Sequence, residues 1–181
     1  MARIQPLSTP DAPEASRPLL EGVQKKLGMI PNLYATLAHS PAALSATLGL
    51  GQNLSSTFLS AGEREQIALL TGQTNSCHYC LAAHTAIGKS VGLTEPETLA
   101  AREGRSDDPK SQALLDFTNA VLKQQGFVET PQLEAFRAAG FTDAQALEVV
   151  VVVAQNMLTN YANHLAETAV DFPAAPELAR S

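Results

Sequence analysis

The chain has no basic cluster along its 181 residues, and 18 acidic side chains outnumber 12 lysines and arginines to leave a net charge of −6. A protein that binds through phosphates needs the opposite balance, so neither nucleic acid nor an anionic membrane surface is expected as a partner. Long apolar runs are missing too. The longest, around Val149 to Ala154, is far too short to span a bilayer. The opening MARIQPLSTPDAPEAS is polar and proline-rich and lacks the apolar stretch of a secretory signal. The expected location is therefore the cytoplasm. No glycine-rich phosphate loop follows a strand, so no nicotinamide or flavin site is expected. Electrons for any redox chemistry would have to come from another protein or a small thiol. Strand signals are scarce altogether. Charged residues reach only 17%, against 45% hydrophobic. That is enough apolar surface for one folded domain over 1–181, and little charged surface for a monomer, which points to a homo-oligomer.

Cysteine is nearly absent. Both copies, Cys77 and Cys80, fall in NSCHYCLAAHTAIGK, residues 75–89, with His78 and His84 beside them. Thiols stay reduced in the cytoplasm, where a close pair is more often catalytic or metal-binding than a structural staple. A disulfide closing so small a loop would also add little chain-entropy stabilisation.

Helix punctuation is what the chain has in quantity. Ser60/Glu63, Thr94/Glu97 and Thr142/Gln145 read as capping boxes. Pro41, Pro109 and Pro131 follow Ser40, Asp108 and Thr130 as first helical residues after their caps. Gly28, Gly92, Gly126 and Gly140 fall where helices should stop. These signals predict helices near 13–26, 32–38, 41–56, 61–74, 76–90, 95–103, 109–124, 131–139 and 143–168, an all-α fold. Five valines at 149–153 favour a strand on propensity. Yet they follow a capping box and run into AQNMLTNYANHLAE without a turn, which fits a helix buried nearly all round. CHYCLAAH, from Cys77, can be laid over MLTNYANH, from Met157. That overlay suggests a degenerate duplicated helical unit in which His164, with Asn160 and Asn163 as polar neighbours, is the counterpart of His84. The segment 1–40 is expected as an extension packing on this domain or on a neighbouring subunit.

With Asn75 or Ser76 as N-cap and about 100° per residue, Cys77, Cys80 and His84 share one helix face, within roughly 60° of one another. Cys80 and His84 are i, i+4 neighbours. Cys77 would lie in the first turn, where the helix dipole favours a thiolate, and the imidazole would do the same for Cys80. Two plainer readings compete. The pair could be incidental buried thiols. Alternatively Cys77, Cys80 and His84, with a carboxylate or His164, could hold zinc, although no second CxxC or HxxxH supplies the usual partner motif. Glu65 alone would be read as a solvated residue of a helix start, and Glu63 already serves as a cap.

Glu65, Cys77, Cys80 and His84 together form E-x11-C-x2-C-x3-H. This pattern resembles the active site of the alkylhydroperoxidase D-like proteins in the carboxymuconolactone decarboxylase superfamily. LGMIPNLYATLAHSP, residues 27–41, is similar to the N-terminal part of the peroxidase-related branch. The resemblance runs from about Gly28 to Pro173. It implies an all-α helical bundle built from a duplicated unit and assembled as trimers or hexamers. It implies a cysteine pair cycling between dithiol and disulfide while reducing a hydroperoxide, with no cofactor and no metal, and a thiol or lipoyl-type protein as reductant. Glu65 and His84 would relay protons and activate Cys80; Cys80 would attack the peroxide and Cys77 would condense with the resulting sulfenic acid. The best-known members carry a relay histidine just before the second cysteine, where this chain has Tyr79. Tyr79 and His164 are thus accessory candidates, and a disulfide reductase or redox-relay or sensor protein with little peroxidase activity is the alternative. Decarboxylation is not implied, because the lactone decarboxylases of the superfamily lack the cysteine pair.

Overall fold

The structure, a computed structural model, describes residues 2–178. Among these residues a short 3-10 turn, Glu14–Ser16, leads into nine α-helices and no strand occurs. The helices are α1 (Arg17–Leu27), α2 (Asn32–Leu37), α3 (Pro41–Leu54), α4 (Ala61–Thr74), α5 (His78–Ser90), α6 (Glu95–Arg102), α7 (Pro109–Lys123), α8 (Thr130–Ala138) and α9 (Asp143–Ala166). Each predicted span holds a helix. The starts follow from local chemistry. The Ser60 hydroxyl accepts from the Glu63 N–H and the Glu63 carboxylate accepts from the Ser60 N–H at 2.7 Å. Thr94/Glu97 and Thr142/Gln145 close the same reciprocal pairs. Thr130 is the exception: it is the first helical residue and not the cap. The Gln132 side chain accepts from the Glu129 N–H at 3.0 Å, which moves the start of α8 one residue back.

Helix α4 is the axis of the molecule and packs against α5, α6, α7 and α9. Seven consecutive residues, Gln66 to Gly72, are buried. It is α4, then, that is buried nearly all round. The valine run is helical, but only Val149, Val152 and Val153 are buried; Val150 and Val151 are exposed, at 44% and 38%. The reason is position: α9 lies on the outside, with its inner face on α3, α4 and α7. The main core gathers where α4, α7, α8 and α9 meet. There Phe136 lies between Phe117 and Phe141, with ring centroids 4.3 Å away on each side.

Two features place the site. Helix α5 lies close to α4 and to the turn before α6, most tightly at Gly88. A methyl group at Gly72 would sit 3.7 Å from the Cys80 Cβ, and one at Gly88 would sit 3.2 Å from Leu93 and 3.7 Å from Glu65. Both ends of the described residues are also tied to this region. The N–H groups of Arg3 and Leu7 donate to Ala166 and Ala35, and the Ser16 hydroxyl donates to Ala38. The N-terminal segment therefore packs on α2, α3 and the end of α9 of its own chain. At the other end the Asp171 carboxylate accepts from the Asn32 N–H, and Arg102 donates to the Pro176 carbonyl. No helix among the described residues is long and apolar enough to cross a membrane. The two segments of the suggested repeat differ in form. CHYCLAAH follows a break and opens α5, whereas MLTNYANH sits inside the unbroken α9.

The aromatic stack gives the fold a direct test. Phe136→Ala empties a site that is 1% exposed and should cost about 3–5 kcal/mol. Urea unfolding should show this as a lower midpoint at an unchanged slope.

Candidate active site

The site begins in the turn between α4 and α5. Ser76 takes the left-handed conformation, φ 55°, and the Cys77 N–H reaches back to the Gly72 carbonyl at 2.8 Å. This 6→1 closure ends α4 in the way a glycine usually does. Cys77 follows in extended backbone and is itself the N-cap of α5; the Leu81 N–H donates to its carbonyl. Cys77 is therefore not in the first helical turn behind an Asn75 or Ser76 cap, as the spacing had suggested. The left-handed residue uses up the turn before it.

The two sulfurs still meet. Cys77 and Cys80 are free thiols 2.7 Å apart, 1% and 3% exposed, in an apolar cluster with Leu33, Tyr79 and Ala83. Their titrations are coupled, so ionising one thiol disfavours ionising the other. The hydrogen bond from Cys80 brings Cys77 down to about 6, against the opposing effect of burial, and the charge of His164 and a hydrogen bond from Asn163 help. The same shared bond, then burial and the Cys77 charge, push Cys80 well above the ordinary thiol range. Sequence spacing had put the imidazole of His84 behind a Cys80 thiolate. Here the thiol–thiol contact favours the thiolate at Cys77 and disfavours it at Cys80, and among the described residues no hydrogen bond joins His84 to either sulfur.

His84 turns instead to Glu65. Its Nδ1 lies 2.7 Å from Glu65 Oε2, with side chains 22% and 15% exposed, so Glu65 is not a solvated helix-start residue. Burial disfavours the imidazolium, but the Glu65 charge and its hydrogen bond outweigh it, and the Cys77 charge adds to them. The net effect raises His84 above its ordinary value.

The asparagines of α9 have a larger part than the sequence suggested. Asn163 Nδ2 donates to Cys80 Sγ at 3.3 Å, and Asn75 Nδ2 donates to Asn160 Oδ1 at 2.9 Å. Asn160 and Asn163 are 0% and 4% exposed. Asparagines within an otherwise apolar helical run were the available signal, because that pattern sets amide groups among buried residues.

Two cavities meet the dithiol. The first, about 240 Å³, is bordered by Cys80, Glu65 and His84 and by the apolar Leu33, Tyr34 and Phe172. The second, about 330 Å³ and more open, is bordered by Cys77 and His164. Only Tyr79 borders both. Its hydroxyl accepts from the Leu33 N–H at 3.3 Å and its ring meets Phe172 edge-on at 5.7 Å. Burial above all holds the phenol protonated. Tyr79 is thus a wall between the cavities. His78 is exposed, and His164, also exposed, stands on the Cys77 side and not beside the Glu65–His84 pair. Among the described residues no group of three or more His, Cys, Asp and Glu side chains is placed to hold a metal.

Alkylation followed by peptide mapping should read the coupled titration of the two thiols. One cysteine per chain, Cys77, should react with an apparent pKa near 6. Cys80 should require a pH above the ordinary thiol value of about 8.5.

Residues 41–107 match the carboxymuconolactone decarboxylase family. A solved structure described as an alkylhydroperoxidase AhpD core, an uncharacterized peroxidase-related protein from Ralstonia eutropha JMP134, is 30% identical. It superposes with a TM-score of 0.82 over 94% of this chain and 92% of that one. An uncharacterized peroxidase-related protein from Silicibacter sp. TM1040 is 26% identical, with a TM-score of 0.79 over 92% and 91% of the two chains. A variant of the debrominase Bmp8 in complex with 2,3,4-tribromopyrrole has a TM-score of 0.77 over 93% and 91%, and at 20% identity it speaks for the fold alone. No curated protein matches the sequence.

Proposed function

The chain belongs to the alkylhydroperoxidase D-like proteins of the carboxymuconolactone decarboxylase superfamily, and on that footing we propose that it is a cytoplasmic, thiol-dependent peroxidase. It reduces hydroperoxides through a Cys77–Cys80 dithiol/disulfide cycle, with Glu65 and His84 as proton relay and with no bound cofactor. The observation that carries this is the dithiol at 2.7 Å whose Cys80 shares an apolar cavity with the hydrogen-bonded Glu65–His84 pair.

In the coupled pair the thiolate is favoured on Cys77. Moving the Cys80 proton onto Cys77 places the thiolate on Cys80, where the Asn163 amide donates to it. Cys80 Sγ attacks the terminal oxygen of the hydroperoxide. An S–O bond forms, the O–O bond breaks, and the leaving alkoxide takes the His84 proton to become an alcohol. Cys80 is now a sulfenic acid. Cys77 Sγ attacks that sulfur. An S–S bond forms, the S–O bond breaks, and hydroxide leaves with the Cys77 proton as water. Glu65 holds the imidazolium until it is needed. The apolar cavity suits an alkyl hydroperoxide, and a thiol or lipoyl-type protein restores the dithiol.

A disulfide reductase or redox-relay protein is the second reading. It is favoured by Tyr79, a buried wall that relays nothing. Turnover of cumene hydroperoxide against a small disulfide separates the two. On the peroxidase reading, peroxide converts both thiols to one disulfide per chain and Cys80→Ser abolishes turnover. Glu65→Gln keeps the thiols but loses about 10²–10⁴-fold in rate, the usual worth of a positioned proton donor. Disulfide turnover with peroxide untouched would leave the second reading standing.

A second copy of this chain is the partner proposed for the outer face of α9. Leu147, Val151, Ala154, Leu158, Tyr161 and Leu165 are all exposed and alternate in steps of four and three. That spacing is the seam of helices that pair with their own kind, and it carries no charge to solvate it. A trimer or hexamer would use it. Light scattering should give a multiple of one chain's mass, and Leu158→Glu should lower that mass. A wild-type mass of one chain would rule the assembly out.

A further inference from the structure

The mechanism above uses only the first cavity. The second touches the dithiol from another side and has features that nothing so far explains. We propose that this second cavity, beside Cys77, is where the thiol of the reductant binds and attacks, so that peroxide and reductant reach the dithiol through separate mouths. The proposal rests on the peroxidase reading for its place in a cycle.

Three observations carry it. The first is the division of the sulfurs: Cys80 borders only the first cavity and Cys77 only the second. Displacement at a disulfide sulfur needs the attacker in line behind the bond being broken. A thiolate arriving through the second cavity therefore meets Cys77 with Cys80 as leaving group. The second is the presence of unpartnered polar atoms. Asn163 and Thr168 border this cavity, and Asn163 Oδ1 and Thr168 Oγ1 are buried with no hydrogen-bond partner among the described residues. Buried polar atoms without partners are costly, and a small turn of either side chain toward the cavity would let the polar arm of a thiol ligand satisfy it. The third is charge. His78 and His164 stand at the rim, and the Glu167 carboxylate, also there, is drawn to Arg3 at 3.5 Å. An anionic thiolate is not repelled.

Cys77 is 1% exposed, so the flat surface of a folded protein does not reach it. The ligand class is a dithiol on a narrow arm. Its first thiolate forms an S–S bond to Cys77 as the Cys77–Cys80 bond breaks, and Cys80 leaves as the thiolate that Asn163 holds. Its second thiol displaces Cys77 and closes the reductant's own disulfide. Two electrons enter the protein. Of the two thiol protons, one returns to the sulfur pair and the other goes to solvent, from which His84 is recharged.

The test measures the two half-reactions separately on the full-length protein. The disulfide is made with diamide, so reduction by dihydrolipoamide is read whether or not peroxide is turned over. His78→Trp, at the rim of the second cavity, should slow reduction at least about tenfold and leave thiol loss to cumene hydroperoxide within about twofold. Ile87→Trp, bordering the first cavity, should do the reverse. Thr168→Ala should raise the KM for dihydrolipoamide and leave the peroxide half-reaction alone. Circular dichroism melts confirm that each variant folds. If His78→Trp and Thr168→Ala both leave reduction unchanged, or Ile87→Trp slows it more than His78→Trp does, the second mouth is not the reductant's. A wild-type disulfide that dihydrolipoamide reduces but peroxide never forms would instead overturn the peroxidase reading, with the mouth still decided by the same variants.

Discussion

The contact between two buried thiols, 2.7 Å apart, sets the terms for everything around it. That contact favours ionisation at Cys77, and ionisation places a negative charge in an apolar cluster, where an uncompensated charge is costly. The surroundings answer that cost. Asn163 donates to Cys80, the His84 imidazolium is stabilised in part by the Cys77 charge, and His164 adds a longer-range contribution. Ser76 is part of the same arrangement. Its left-handed backbone costs of order 1–3 kcal/mol, and it turns the chain so that Cys77 enters α5 in extended form with its sulfur over Cys80.

The relay depends on how closely helices can pack. Glu65 is on α4 and His84 on α5, and their 2.7 Å contact requires the two axes to be close. Because α4 is buried on nearly every side, Glu65 has little freedom to turn to water, and the charge it carries is answered by His84. Burial of α4 thus does two jobs. It forms the core, and it keeps a carboxylate facing an imidazole.

The helices were legible because their signals are local. A cap and its partner lie three residues apart, so Ser60/Glu63 or Thr142/Gln145 can be recognised without knowing the fold. The Glu65–His84 pair was legible only through the spacing it shares with a family; position alone argued for a solvated glutamate. Cys77 was misplaced by one step because the left-handed closure of α4 falls on a serine, where the sequence rule looks for glycine. Asn163 contributes to the site from 83 residues away, and a helical asparagine carries no mark of its partner. The valines misled for a related reason: an apolar residue reads as core whether it faces its own chain or is free to face another.

That ambiguity is resolved by seeing α9 as a helix with three faces. Val149, Val152 and Val153 enter the core, Asn160 and Asn163 face the dithiol, and the four–three stripe from Leu147 to Leu165 faces out. No proline or glycine interrupts its 24 residues, so the three faces keep a fixed relation. The asparagine that steadies a thiolate is thereby held by the valines below it. A partner docked on the outer stripe would grip the same rigid rod. A single helix can carry fold, chemistry and assembly only because its period spreads them over different angles. It also explains why an averaged hydrophobic pattern along α9 reveals none of the three by itself.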